Sequence, residues 1–151
     1  MDFKKLLKYI LGTIFIGSFF SLFIFDSFKI YEGYEKPFLS PPGIVFPIVW
    51  TILYILMGVS LYLVMKKRKD EKSFIIYISQ LLLNSIWPLF FFKFRFLFFS
   101  FLIIVALIIL VIKMITEFYK INKTAGLLQI PYLLWLLFAS YLNLAIYLLN
   151  K

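Results

Sequence analysis

Charged residues in this chain gather in short clusters that separate five long uncharged runs, at 9–25, 37–65, 73–92, 96–112 and 124–150. An α-helix rises 1.5 Å per residue, so about 20 apolar residues cross a hydrocarbon core of about 30 Å. The two shortest runs reach that length when Lys8 and Lys113 extend their ammonium heads to the interface. The two longest begin with turn-like or Pro-marked stretches that need not lie in lipid. The pattern predicts helices over about 6–25, 44–65, 73–92, 96–116 and 126–149, joined in one domain covering 1–151. The fold class is an all-α integral membrane protein, a five transmembrane helix bundle. Loops two to four are short, which predicts antiparallel neighbours. The first loop, 26–43, is long and rich in Tyr, Glu, Lys and Pro, as lids and binding elements often are.

Within the spans, polar and aromatic residues recur at helical spacing. Tyr77, Gln80, Asn84 and Trp87 share one face of the third helix. An amide facing lipid would lack partners, so this face should point inward. The second helix aligns Phe46, Trp50, Tyr54, Met57 and Gly58, and the fifth aligns Pro131, Trp135, Ala139 and Asn143. Ala139, one turn beyond Trp135, sets a small residue beside a large flat one, which makes a recess. Pro131 frees a backbone carbonyl and is expected to bend the chain near the membrane surface. In the first helix, Thr13, Gly17 and Ser21 form a small-residue stripe suited to close packing. The fourth helix is apolar nearly all round and is expected to face lipid or a partner subunit, which leaves a homodimer open.

Composition narrows the chemistry. Only 15% of residues are charged, against about a quarter in soluble domains, so lipid is the expected solvent. The chain has no Cys and no His, which removes thiol nucleophiles, disulfides, imidazole bases and the usual haem ligands. No metal site and no cofactor is expected. No acid or base lies near the middle of a span, unlike proton- or ion-coupled pumps. The net charge of +9 sits between apolar runs and reads as headgroup anchoring, so nucleic acid is not expected as a partner. Eleven of the basic residues fall at the N-terminus, the second loop and the 113–123 region, and five on the opposite side. The positive-inside rule then puts the N-terminus in the cytoplasm and the C-terminus outside. No small-x-small cleavage site follows the first run, so it is expected to be a retained helix.

The same residues resemble the translocator protein family, also called tryptophan-rich sensory proteins or peripheral-type benzodiazepine receptors. The similarity begins at Lys36-Pro37, passes through Pro41-Pro42 and continues as Phe46-Pro47-Ile48-Val49-Trp50-Thr51-Ile52-Leu53-Tyr54, with Met57-Gly58. It resumes at Gln80-Leu81-Leu82-Leu83-Asn84, Trp87-Pro88 and Phe91-Phe92, then at Pro131-Tyr132-Leu133, Trp135, Phe138-Ala139 and Leu142-Asn143. The resemblance implies five helices, a first loop covering a pocket for tetrapyrroles, sterols or benzodiazepine-like drugs, and a bacterial cytoplasmic membrane as location. By resemblance, Trp50, Asn84, Trp87, Trp135, Ala139 and Asn143 match positions that line or border that pocket, and Tyr31, Pro41, Phe46 and Tyr54 complete the candidate ligand-binding set. Leu39 stands where members often have Trp, and the early fourth helix, around Ile103, lacks the acid that many carry.

Three functions follow as expectations. The first is a membrane-embedded binding protein for flat hydrophobic ligands, with porphyrin and haem-like tetrapyrroles foremost, serving as sensor or carrier. The second is an enzyme promoting light- and oxygen-dependent porphyrin breakdown, with Trp50 and Trp135 as the active groups. The third is an assembly partner in the bilayer that holds no ligand.

Overall fold

A computed structural model describes residues 2–23 and 28–151, with the backbone alone at Phe28. The expected end of the first span at 24–25 and the start of the lid at 26–27 lie outside the described residues. The helices are α1 (Phe3–Ser18, followed by a 3₁₀ turn at Phe20–Phe23), α2 (Phe28–Gly33), α3 (Val45–Lys67), α4 (Glu71–Pro88, followed by a π turn at Leu89–Lys93), α5 (Leu97–Ile121), α6 (Lys123–Leu127) and α7 (Ile130–Asn150). Five stretches are long and apolar enough to cross a membrane: Phe3–Phe23, Val45–Lys67, Glu71–Lys93, Leu97–Ile121 and Lys123–Asn150. Among the described residues there are no strands. The chain is an all-α integral membrane protein.

Side-chain caps start the helices at the lysine-rich end. Asp2 accepts from the backbone N–H groups of Lys4 and Lys5, at 3.1 and 3.3 Å, and Asn122 accepts from that of Ala125 at 3.0 Å. Asp70 accepts from the Ser73 hydroxyl at 2.6 Å and the Ser73 N–H at 3.1 Å. These bonds hold its carboxyl below the usual carboxylate range, because a capped carboxylate is favoured as the anion. Pro88 marks the opposite end of α4. Pro88 has no N–H to offer the Asn84 carbonyl, and the chain beyond it widens into the π turn. Pro131 lies in the first turn of α7, where no helical bond is lost. The break in the fifth span instead comes one step earlier, at Leu128 and Gln129, and separates α6 from α7.

Helix α1 packs against α3 and α4, α4 against α5, and α5 against α7, while α6 folds back onto α3 and α5. The expectation that short loops make neighbours fails for α3 and α4. Only residues 68–70 join them, yet their backbones have little contact, and α1 bridges the gap. Gly58 lets α1 come close: a Cβ there would sit 2.6 Å from Ile10 Cα. Across the bundle α3 meets α7 through rings, Trp50 lying edge-on to Trp135 and to Tyr132.

The fourth span also departs from expectation. Helix α5 does not simply face lipid. Its line Ser100, Ile103, Ile104, Leu107, Val111, Met114, Phe118 and Ile121 is buried against α4, α6 and α7. Phe98, Phe99, Leu102, Ile109 and Ile112 on the other side are exposed. Membrane helices associate by packing rather than by hydrophobicity, so an all-apolar helix does not reveal its inner face.

Candidate functional site

Because α3 and α4 stand apart, a crevice runs between them under α1. Hydrogen bonds close its middle. Thr13 of α1 shares a short hydrogen bond with the Tyr77 hydroxyl of α4. The Tyr54 hydroxyl has one proton to give and two acceptors near it, Asn84 Oδ1 at 2.8 Å and the Gly17 carbonyl at 3.0 Å. Asn84 Nδ2 donates to the Tyr132 hydroxyl at 2.7 Å, which donates to Gln80 Oε1 at 2.7 Å. Each member is buried, and a fully connected buried network fixes one arrangement of α3, α4 and α7. Gly17 is required here, since a Cβ would fall 2.5 Å from the Tyr54 ring.

On the side of this waist away from the lysines lies a cavity of about 240 Å³. Phe46, Trp50, Tyr54, Trp87 and Phe92 form its aromatic walls, with Ile14, Leu22 and Pro47 between them and Ser18, Ser21, Thr51 and Asn84 as its polar residues. No acid or basic side chain lines it among the described residues. Its polar atoms are largely paired within the protein. The Ser18 and Thr51 hydroxyls donate to carbonyls of their own helices, and Tyr54 and Asn84 bond each other. The Trp87 indole N–H donates to Asn143 Oδ1 at 3.0 Å. A guest is therefore offered ring faces and few free hydrogen-bonding groups.

The residues expected to bind ligand separate into three groups. Phe46, Trp50, Tyr54, Asn84 and Trp87 line the cavity. Behind them, Trp50, Asn84 and Trp87 also border a void of about 10 Å³ shared with Ala139, Ile104, Leu107 and Leu136. The recess at Ala139 is thus almost filled, at the lower limit for one water. Trp135 stands behind Trp50, 6.3 Å between ring centroids, and its buried indole N–H has no partner. Asn143 is fully buried and committed: its Oδ1 also accepts from Ser100, and its Nδ2 donates to the Leu97 carbonyl. It positions Trp87 rather than lining the cavity.

Tyr31 and Pro41 belong to the first loop. The Tyr31 hydroxyl donates to the Pro41 carbonyl at 2.8 Å, and its ring lies edge-on to Phe46, 5.1 Å between centroids. Burial pushes its phenol up, so it remains a donor. Lys36 reaches back to the carbonyls of Tyr31, Glu32 and Tyr34, where a cation satisfies the end of α2. The far end of α7 clamps the loop. Asn150 exchanges two hydrogen bonds with the backbone of Glu35, and Tyr141 donates to the Phe38 carbonyl. Reading the sequence missed Ser18, Phe92, Ser100, Tyr141 and Asn150. The signals available were the family pattern at Phe91-Phe92 and the polar Ser18 and Ser100 within apolar spans.

Comparison with known proteins agrees with this architecture. The TspO/MBR family matches residues 9–149. The tryptophan-rich protein TspO of Archaeoglobus fulgidus is 41% identical over 153 residues, covering 99% of each chain. That of Chlorobaculum tepidum is 39% identical, covering 80% of this chain and 78% of its own. The translocator protein of Homo sapiens is 32% identical, covering 81% and 75% respectively. With the match running through all five spans, the chain belongs to the TspO/MBR family.

Proposed function

We propose that this protein binds a flat hydrophobic molecule of the tetrapyrrole class in the cavity between α1, α3 and α4, under the lid, and serves as a sensor or carrier. Family membership supports the broader role of a membrane sensor or translocator. The observation that carries the finer reading is a neutral, aromatic-walled space whose polar groups are largely paired within the protein. Such a wall stacks a planar π-system and cannot satisfy a strongly polar one.

At about 240 Å³ the space is below the range of about 300–1,000 Å³ usual for ligand sites, so a tetrapyrrole requires it to widen. Trp50 is the hinge of that widening. Asn143 anchors Trp87, whereas Trp50 is held by ring packing against Tyr54, Tyr132 and Trp135. Swinging Trp50 would join the cavity to the void beside Ala139.

A second reading, oxidative breakdown of the bound porphyrin in light, rests on the same contact, since Trp50 lines the cavity and touches Trp135. Titrating protoporphyrin into detergent-solubilised protein, dark and lit, with and without oxygen, separates the readings. Saturable quenching of tryptophan fluorescence in the dark supports binding; loss of the porphyrin band only with light and oxygen supports the enzyme. Neither signal overturns both. The charge distribution sets the proposed orientation, with the N-terminus in the cytoplasm. Reporters fused after Lys69 and after Lys151 should then report opposite sides, cytoplasm and exterior, and reporters on one side would refute it.

A further inference from the structure

The crevice reopens on the lysine side of the waist as a second space of about 730 Å³ between α1, α3 and α4. Below the rim its wall mixes the aliphatic Ile16, Leu61, Ile78 and Leu81 with the rings of Tyr9, Tyr62, Phe74 and Tyr77, and its rim carries Lys5, Lys8, Lys66 and Lys69. Among the described residues none of these four lysines pairs with a carboxylate. Asp2 also reaches the rim, but its carboxylate is turned to the N–H groups that begin α1. The space exists because α1 leans on α3 at Gly58 and reaches α4 here through the Thr13–Tyr77 bond. Gly12 adds to it, for a Cβ there would meet nothing within 4 Å. Gly12 and Phe74 are both exposed, so the space opens sideways to the bilayer.

We infer that this half of the crevice holds an anionic glycerophospholipid from the leaflet facing the N-terminus. The phosphate sits among Lys5, Lys8, Lys66 and Lys69, and an acyl chain lies along the apolar wall past Gly12. Depth favours a lipid over a free anion. From Lys5 to Ile16, α1 rises about 17 Å, close to the half-thickness of a core of about 30 Å. Charge at the interface with an apolar slot below it matches both ends of that molecule. Basic pockets between membrane helices recognise anionic headgroups in this way.

The test is native mass spectrometry of the full-length protein from nanodiscs of equal phosphatidylglycerol and phosphatidylcholine. The parent should retain phosphatidylglycerol preferentially, and millimolar inorganic phosphate should not displace it. A lysine beside an anionic surface contributes about fivefold in affinity, so Lys5→Gln with Lys66→Gln should lower retention about 25-fold. Lys93→Gln with Arg95→Gln, at the far end, should leave it unchanged. Gly12→Leu adds bulk to open space and should abolish retention without unfolding the protein. Equal retention of the two lipids, an equal loss from the far-end pair, or full retention by Gly12→Leu would overturn the inference. Displacement by inorganic phosphate would overturn it in favour of a free-anion site.

Discussion

The two halves of the α1–α3–α4 crevice share a framework but no lining residue. One is about 240 Å³, walled by Trp and Phe with no charged side chain among its described lining residues, and Tyr31 of the lid packs on its wall residue Phe46; the other is about 730 Å³, mixes aliphatic side chains with Tyr9, Tyr62, Phe74 and Tyr77, is rimmed by lysines and opens at the side. The same separation of α3 from α4 produces both, so the helix arrangement supplies space without specifying its use. Side-chain chemistry on either side of the waist is the basis for proposing a different guest for each half. All three tryptophans fall on the lid side, so indole fluorescence reports on that half alone.

The largest expected effect comes from the contact that both halves need. In Gly58→Leu the new side chain meets the Ile10 backbone, which cannot turn aside as a flexible side chain would. Thermal unfolding in detergent should show a loss of about 3 kcal/mol, the upper part of the overpacking range, with both guests lost together. Retention of either guest would mean that its half does not depend on the α1–α3 contact. Breaking the waist should cost somewhat less. Asn84→Leu leaves the Tyr54 hydroxyl with only Gly17 and removes the donor to Tyr132. That should lower stability by about 1–3 kcal/mol and weaken porphyrin binding more than phospholipid retention.

The smallest change is at the rings. Trp50→Phe and Trp135→Phe keep a π-face, and aromatic contacts contribute about 0.5–1.5 kcal/mol beyond area burial, so porphyrin affinity should fall by no more than about tenfold. Indole is oxidised far more easily than phenyl, so any light-driven breakdown should fall much further. Variants that bind and degrade porphyrin like the parent would make both tryptophans packing residues.

Much of this was legible because lipid punishes unpaired polar groups. Tyr77, Gln80, Asn84 and Trp87, placed on one face by spacing, are all buried, since an amide in hydrocarbon must find a partner. The α5 face had no such marker: Ile104 and Ile109 are chemically alike, yet one is buried and the other exposed. Asn143 could be seen to point inward, but its partner Trp87 lies 56 positions away and no local pattern links them. The divergence of α3 from α4 was hidden because a loop's length limits only the helix ends it joins. The short α2 in the lid depends on the cation of Lys36 at its end, a tertiary contact of a kind that periodicity does not encode.

The proposed place of the planar ligand is the lid-side half and no other. It is tested most directly by filling each half in turn and measuring protoporphyrin affinity by tryptophan quenching, in the dark and without oxygen. Ser18→Leu puts bulk into the aromatic half, and Gly12→Leu puts the same side chain into the lysine half. Ser18→Leu should lose at least tenfold in affinity, about 1.4 kcal/mol, and Gly12→Leu should keep the parental affinity. Equal losses in both variants, or a loss confined to Gly12→Leu, would contradict this placement.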